Sequence, residues 1–520
     1  MFYDVIKNIG WDETTEKIMR KTDADVRRAL AKRHLSVDDF MALVSPAADK
    51  YLEQMARLSR MYTRERFGKT INMFIPIYIT NSCANSCVYC GFHVQNKMPR
   101  TILTEEEIVR EYQAIKKLGP FDNLLVLTGE NPAKAGVDYI ARALDLAKPY
   151  FNNLQIEVMP LATDDYAKLR RHGLNGVICF QETYNEARYK VYHPRGPKSN
   201  YEWRLNGYDR MGQAGVHKIG MGALIGLEDW RTEVTMMAYH LRYLEKTYWR
   251  TQYSVNFPRM RRAENGGFQP NVEMTDRELA QVTFAMRIFD HDVDISYSTR
   301  ETPEVRNNMA TLGVTTMSAE SHTDPGGYAC YPNALEQFHV SDERTAREVE
   351  RDLKAVGMEP GVLASPMYAD DRRIYPIYEY CAEHGIPVLL MGGGGNGPDL
   401  SHSNPIIIDR VCGDFPEMTV INTHGGYPWV TEILFVAFKR PNLYLCPDMY
   451  MYNMPGVSDY VMAANTFLSE RFLFGTAYPF IGFREGVEQF KALPFKPEVL
   501  PNLLYRNAIK ALKLDIPCGE

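Results

Sequence analysis

Three cysteines crowd into one short stretch, SCANSCVYCGF, as Cys83, Cys87 and Cys90, while Cys179, Cys330, Cys381, Cys412, Cys446 and Cys518 are scattered. Thiolates ligate soft metals and iron–sulfur clusters. Three of them on a cubane 4Fe–4S cluster leave one iron open, and an open iron can chelate a small molecule through an amine and a carboxylate. The competing account is a structural zinc loop, which wants a fourth Cys or His close by; His93 is in reach along the chain. A disulfide fits less well. Nine cysteines, an odd number without framework spacing, point to a reducing compartment, and we expect a cytoplasmic protein.

The remaining composition narrows the class. The chain has 520 residues, 45% hydrophobic and 24% charged, in the range of a globular protein of two or three domains. A net charge of −6 implies no general basic surface for nucleic acid. No run of about 18 apolar residues reads as a membrane span. The opening MFYDVIKNIGWDETTEK is acidic and mixed, unlike a signal peptide.

The elements that must position the cysteines follow from periodicity. Residues 1–72 read as a helical extension, with helical spacing in KTDADVRRALAKR and onward to Gly68. From Met73 short apolar runs alternate with helical stretches. Eight candidate strands are 74–80, 123–128, 154–159, 176–181, 218–225, 253–257, 293–298 and 313–318. Eight βα units in about 250 residues predict a closed (β/α)8 barrel over 73–359, whose functional groups sit at the strand C-termini. The cysteine loop follows the first strand directly. A second series, at 361–365, 386–391, 418–424, 442–446 and 471–476, has too few strands for another barrel and predicts a partial βα domain over 360–520. GGGGNG at 392–397 is the one low-complexity tract.

The C-x3-C-x2-C spacing after a βα strand, with Tyr89 before the last cysteine, resembles the signature of radical S-adenosylmethionine enzymes. The likeness sharpens around it. PIYITNSCANSCVYCGFHVQNKMPRTIL, LLVLTGENPAKAGVDYI, LQIEVMPLATDDYAKLRRHGLNGVICFQETYNEARY, KIGMGALIGLEDWR, YSVNFPR, ISYSTRETPEVR and SAESHTDPGGYA together resemble the 2-iminoacetate synthase family, over roughly residues 1–359. Those enzymes are the radical tyrosine lyases of thiazole biosynthesis in the thiamine pathway. The resemblance implies a 4Fe–4S cluster on Cys83, Cys87 and Cys90, and S-adenosylmethionine at its open iron. It implies cleavage of the Cα–Cβ bond of L-tyrosine to 2-iminoacetate (dehydroglycine) and p-cresol. Another aromatic amino acid is the alternative substrate. The resemblance further implies flavodoxin or ferredoxin as electron donor and thiazole synthase as recipient of the product.

Site residues carry over motif by motif. Thr128-Gly129-Glu130 ends the second strand and would receive the methionine amino group: glycine allows close backbone approach, and a carboxylate meets an ammonium. The plain alternative is a strand-to-loop turn. Glu157 and Gln181-Glu182 would meet the ribose or the methionine end, or else form buried ion pairs. Ala223 and Leu224, in GALIGLE, would lie against the adenine, or be a packing feature. Arg300 is the natural anchor for an amino-acid carboxylate, unless it pairs with Glu301 or Glu320. Ser318 would add a hydroxyl, and Tyr78 would line the cavity or the core. Cys179 reads as packed core. The hydrogenase-maturation tyrosine lyase, a related family, carries a second cluster on a C-terminal C-x2-C pair; no later cysteines pair at that spacing here.

Residues 361–515 resemble the second half of a metal-dependent amidohydrolase-related barrel, in YADDRRIYPIYEYCAEHGIPVLL, NTHGGYPWVTE, FKRPNLYLCPDMY and FLFGTAYPF. That family ligates metal through an early His-x-His, further histidines and a late Asp. Here only His424 remains of the set, and Ala477 stands at the late position, which disfavours a catalytic metal and leaves metal-dependent amidohydrolase or decarboxylase activity of this part as the alternative function. An open half barrel leaves strand edges to cover, and we expect a homodimer through it.

Overall fold

The computed structural model describes residues 1–119, 121–261, 268–331, 337–338, 340–361, 368–372, 374–394, 400–478 and 480–516. The chain divides into two compact units, Met1–Val362 and Leu363–Glu520.

The first unit opens with α-helices Phe2–Ile6, Trp11–Met19, Asp23–Leu30, Val37–Val44 and Leu52–Phe67. Two start on reciprocal caps. Thr22 accepts from the Asp25 amide while Asp25 accepts from the Thr22 amide, and Ser36 and Asp39 repeat the arrangement. Gly68, at φ 62°, ends the last helix, and the β-branched Thr70 and Ile71 begin the first strand. The helical extension therefore stops short of residue 72.

Eight parallel strands follow: β1 (Thr70–Thr80), β2 (Asn123–Thr128), β3 (Asn153–Glu157), β4 (Leu174–Glu182), β5 (Lys218–Ala223), β6 (Gln252–Asn256), β7 (Asp294–Tyr297) and β8 (Thr316–Ser318). β1 pairs with both β2 and β8, which closes the barrel. Every expected strand is present; β2 keeps its expected ends and the others shift. β8 starts three residues late because the amides of Gly313 and Val314 turn back onto the Met309 carbonyl and finish the preceding helix.

β9 (Glu359–Gly361) corrects the second series. It pairs with Thr70–Asn72 of β1 and extends the barrel sheet; residues 362–365 of the expected strand lie outside the described residues. In the second unit β10 (Val388–Met391), β11 (Val420–Thr423) and β12 (Leu443–Cys446) form a parallel sheet. The expected strand at 471–476 makes one bridge, Leu445 to Phe472. The Phe474 amide then turns to the Leu503 carbonyl, so the ladder stops. GGGGNG is described only to Gly394, and Cys518 lies outside the described residues. Each unit has its own apolar core, one drawn from Phe2 to Met358 and the other from Tyr375 to Leu503. Cys179 is buried in the first, as expected.

Candidate active site at the strand C-termini

The cysteine loop leaves β1 at Thr80 and is wound around two side chains. Arg100 donates to the carbonyls of Asn81, Phe92, His93 and Asn96 at 2.7–3.1 Å. Asn81 accepts from the Thr101 amide at 2.8 Å and donates to the Pro99 carbonyl at 2.9 Å. The end of β2 packs hard against this loop. A Cβ on Gly129 would come within 2.3 Å of the Ser82 carbonyl oxygen, so only glycine allows the approach.

Cys83, Cys87 and Cys90 all line one cavity at the C-terminal mouth of the barrel, with about 1610 Å³ of space not filled by atoms, its opening included. Burial pushes the Cys87 and Cys90 thiols up, against the pull of Lys198 on both. Three soft donors facing one cavity, two of them pushed by burial toward the neutral thiol, fit a cationic iron–sulfur cluster, which supplies the missing positive charge. The zinc reading does not fit this conformation. His93 turns its Nδ1 to Gln95 Oε1 at 3.2 Å. No three His, Cys, Asp or Glu side chains among the described residues gather about a single-ion point.

Beside the cysteines stands a buried charge network that the sequence did not reveal. Lys198 Nζ lies 2.7 Å from Glu182 Oε1 and 3.8 Å from Glu130 Oε1. Arg204 lies 2.9 Å from Glu130 and 3.7 Å from Glu182. Asn85, inside the cysteine loop, donates to Glu130 Oε2 at 2.9 Å. Burial opposes the charge on Glu130, but Arg204 and Lys198 outweigh it and hold the carboxyl below its ordinary range. Lys198 and Arg204 sit in GPKSNYEWR, past the helix Glu186–Tyr192 that follows β4, and two cations six residues apart were the one available signal. Thr128 lines the same cavity, and its buried Oγ1 has no hydrogen-bond partner. An orphaned hydroxyl, two cations and carboxylates facing one cavity fit a ligand with an ammonium, a carboxylate and a ribose, as S-adenosylmethionine has.

The other expected residues divide. Tyr78, Tyr89, Gly129, Glu157, Glu182, Leu224, Arg300 and Ser318 line the cavity. Gln181 and Ala223 do not. Ile178, Phe180 and Glu182 face inward along β4, so by strand alternation Gln181 points away, where its amide is buried without a partner. Glu182 itself sits at φ 71°, a strained position for a non-glycine residue, where the β4–β5 register breaks. Tyr89 donates to or accepts from His193 Nε2 at 2.7 Å. Tyr78 donates to Gln337 Oε1 at 2.8 Å.

Arg300 follows β7, across the barrel from β3. Neither suspected partner takes its charge. Glu301 pairs with Arg259 and, at 3.1 Å, with Arg261; Glu320 accepts from the Ala346 amide at 2.9 Å. The Arg300 guanidinium instead lies 3.6 Å from the Phe338 ring centroid and has no ion-pair partner among the described residues. Burial pulls its pKa down, while Tyr78 and Glu157 support the charge. Glu157 makes no hydrogen bond among the described residues; burial and then the Glu182 charge raise it to about 7, against Arg300. Gln337 and Phe338 come from an irregular segment after β8, where no sequence pattern marked them.

In the second unit His424 is at φ 60° and Asp448 at φ 42°. The His424 ring bonds Asp448 Oδ1 at 3.0 Å, and Asp448 raises its pKa despite burial.

The Radical SAM superfamily model matches residues 77–237, and the Biotin and Thiamin Synthesis associated domain matches 256–359. The Amidohydrolase model matches 328–514. The 2-iminoacetate synthase of Escherichia coli (strain K12) is 46% identical over 360 residues, 69% of this chain and 95% of that protein. The Salmonella typhimurium 2-iminoacetate synthase matches to the same extent. Among solved structures, the FeFe-hydrogenase maturase HydG from Carboxydothermus hydrogenoformans superposes with a TM-score of 0.60 at 25% identity, covering 84% of this chain and 96% of that one. Methylornithine synthase (PylB) gives 0.53 at 19% identity, over 65% of this chain and 97% of that one, a likeness of fold.

Proposed function

The chain belongs to the 2-iminoacetate synthase family of radical S-adenosylmethionine lyases in thiazole synthesis, and from that premise we propose that it cleaves L-tyrosine between Cα and Cβ to 2-iminoacetate and p-cresol. The observation that carries the reading is that the three cysteines and Arg300, which has no ion-pair partner among the described residues, line one cavity. When bound, the 4Fe–4S cluster and S-adenosylmethionine supply a 5′-deoxyadenosyl radical able to take hydrogen from the substrate amine.

The residues divide the remaining work. Cys83, Cys87 and Cys90 hold the cluster. Glu130, Lys198 and Arg204, with the Thr128 hydroxyl, hold the polar end of S-adenosylmethionine; Glu182 and Leu224 contribute to the same wall. Arg300 receives the tyrosine carboxylate in its planar fork, which stacking on Phe338 leaves free in plane. Ser318 faces the same space. Glu157, titrating near neutrality, faces the substrate ammonium and can hold a proton on its carboxyl. Tyr78, Phe92, Leu125 and Leu127 form an apolar wall suited to the aromatic ring and keep water out.

The chemistry consumes two electrons, one to cleave the sulfonium and one, with a proton, to complete p-cresol, so flavodoxin or ferredoxin is the proposed donor. Thiazole synthase is the proposed recipient of the unstable imine, and the chain is proposed to work as a homodimer. No helix among the described residues is long and apolar enough to cross a membrane. The test is anaerobic reconstitution with iron and sulfide, then dithionite, S-adenosylmethionine and tyrosine. Appearance of 5′-deoxyadenosine and p-cresol together, lost in Cys87→Ala, supports the reading. Deoxyadenosine without p-cresol rejects tyrosine.

A further inference from the structure

Gln337 and Phe338 belong to no helix or strand, yet both line the cavity. Gln337 Nε2 donates to Cys90 Sγ at 3.3 Å, while its Oε1 accepts from the Tyr78 hydroxyl at 2.8 Å. The next side chain, Phe338, lies against the Arg300 guanidinium at 3.6 Å. One dipeptide thus touches a cysteine of the cluster loop and the cation that faces the substrate.

Its backbone is fixed from two sides. The Gln337 amide donates to the Thr323 carbonyl and to Thr323 Oγ1, both at 3.2 Å, and Thr323 Oγ1 donates to the Phe338 carbonyl at 3.1 Å. Thr323 is itself buried, at 2% exposure. Next to Cys90, a Cβ on Gly91 would meet the Gln337 carbonyl oxygen at 2.6 Å, so the loop has left room for this dipeptide.

We propose that Gln337-Phe338 is a positioning element with two separable tasks: Gln337 sets the potential of the cluster through Cys90, and Phe338 holds Arg300 in the attitude that receives the substrate carboxylate. The inference rests on the functional reading above. An N–H donated to a ligand sulfur draws off electron density and favours the reduced cluster. The Tyr78 hydroxyl fixes which end of the amide faces the sulfur, since a carbonyl there would repel a thiolate. An aromatic ring beneath a guanidinium leaves all its in-plane donors to the carboxylate.

The test uses the full chain, anaerobically reconstituted, as wild type, Gln337→Leu, Gln337→Glu and Phe338→Leu. The cluster midpoint is read by redox titration followed by electron paramagnetic resonance. Tyrosine affinity is read calorimetrically with the cluster oxidised and S-adenosylmethionine present, so that no turnover occurs. Both Gln337 variants should move the midpoint to more negative potential at unchanged iron content and tyrosine affinity. The near-isosteric Gln337→Glu, whose ionised form has no N–H to give, gives this reading even if the leucine variant misfolds. Phe338→Leu should weaken tyrosine binding by roughly tenfold, the scale of a desolvated cation–π contact, and leave the midpoint in place. An unmoved midpoint in an iron-replete Gln337 variant overturns the first task, and unaltered tyrosine affinity in Phe338→Leu overturns the second. A wild-type chain that takes up no cluster overturns the functional reading itself.

Discussion

Arg300 keeps its guanidinium for the cavity because its sequence neighbour Glu301 is spent on Arg259 and Arg261. Replacing it tests the substrate end alone. Arg300→Gln should raise KM for tyrosine roughly 10- to 100-fold, the worth of a charge-assisted bond, with the cluster spectrum unchanged. Steady-state p-cresol formation against tyrosine concentration reads it; an unchanged KM would mean that another group holds the carboxylate. Glu157 gives a second residue-scale test. Burial and the Glu182 charge raise it from 4.5 to about 7. The folded chain therefore binds this proton more tightly than the unfolded chain. Its contribution to stability is full below about 4.5, is lost as pH rises between the two values, and is gone above about 7. Glu157→Gln should flatten that decline in melting temperature across the window, measured without cofactors. A parallel decline in the variant would assign the pH dependence elsewhere.

At the scale of elements, the loop between β1 and the following helix depends on the end of β2. Gly129→Ala would set a methyl 2.3 Å from the Ser82 carbonyl oxygen, against backbone rather than a movable side chain. The loop would have to shift, and the variant should hold well under the four irons of a full cluster after reconstitution. Iron and sulfide analysis reads this; a full complement would show that the loop tolerates displacement. The same region marks what was legible in sequence. Continuous apolar runs such as FIPIYIT and NLLVLT gave the barrel strands, because strands buried on both faces carry that signal themselves. Tyr78, Glu157 and Ser318, proposed as site residues on those strands, line the cavity. Gln181 lies off the cavity because it alternates with Phe180 and Glu182, which face inward. Lys198, Arg204 and Gln337 were missed because they lie in connections, where placement comes from long-range bonds such as Gln337 to Thr323, which no local periodicity records. The strand expected at 471–476 was lost for the same reason: Leu503, far along the chain, takes the Phe474 amide.

At the scale of the whole molecule, the two units own separate cores, one from Phe2 to Met358 and one from Tyr375 to Leu503. Separate cores are the condition for separate cooperative transitions. The candidate cofactor site lies wholly in the first unit, on residues from Phe74 to Phe338. In the second, His424 is engaged by Asp448, and Ala477 stands at the position where the amidohydrolase-related pattern has its late ligand. A ligand stabilises only the unit it binds, by about 2.7 kcal/mol at a hundredfold excess over its dissociation constant. Calorimetry should therefore show two transitions. Cluster loading with S-adenosylmethionine should raise one and leave the other fixed, and a zinc chelator should move neither in the cluster-free chain. A single transition that rises as a whole on loading would mean that the second unit's stability is tied to the site. A chelator-sensitive second transition would mean that the half barrel holds a metal through ligands other than the set its relatives use.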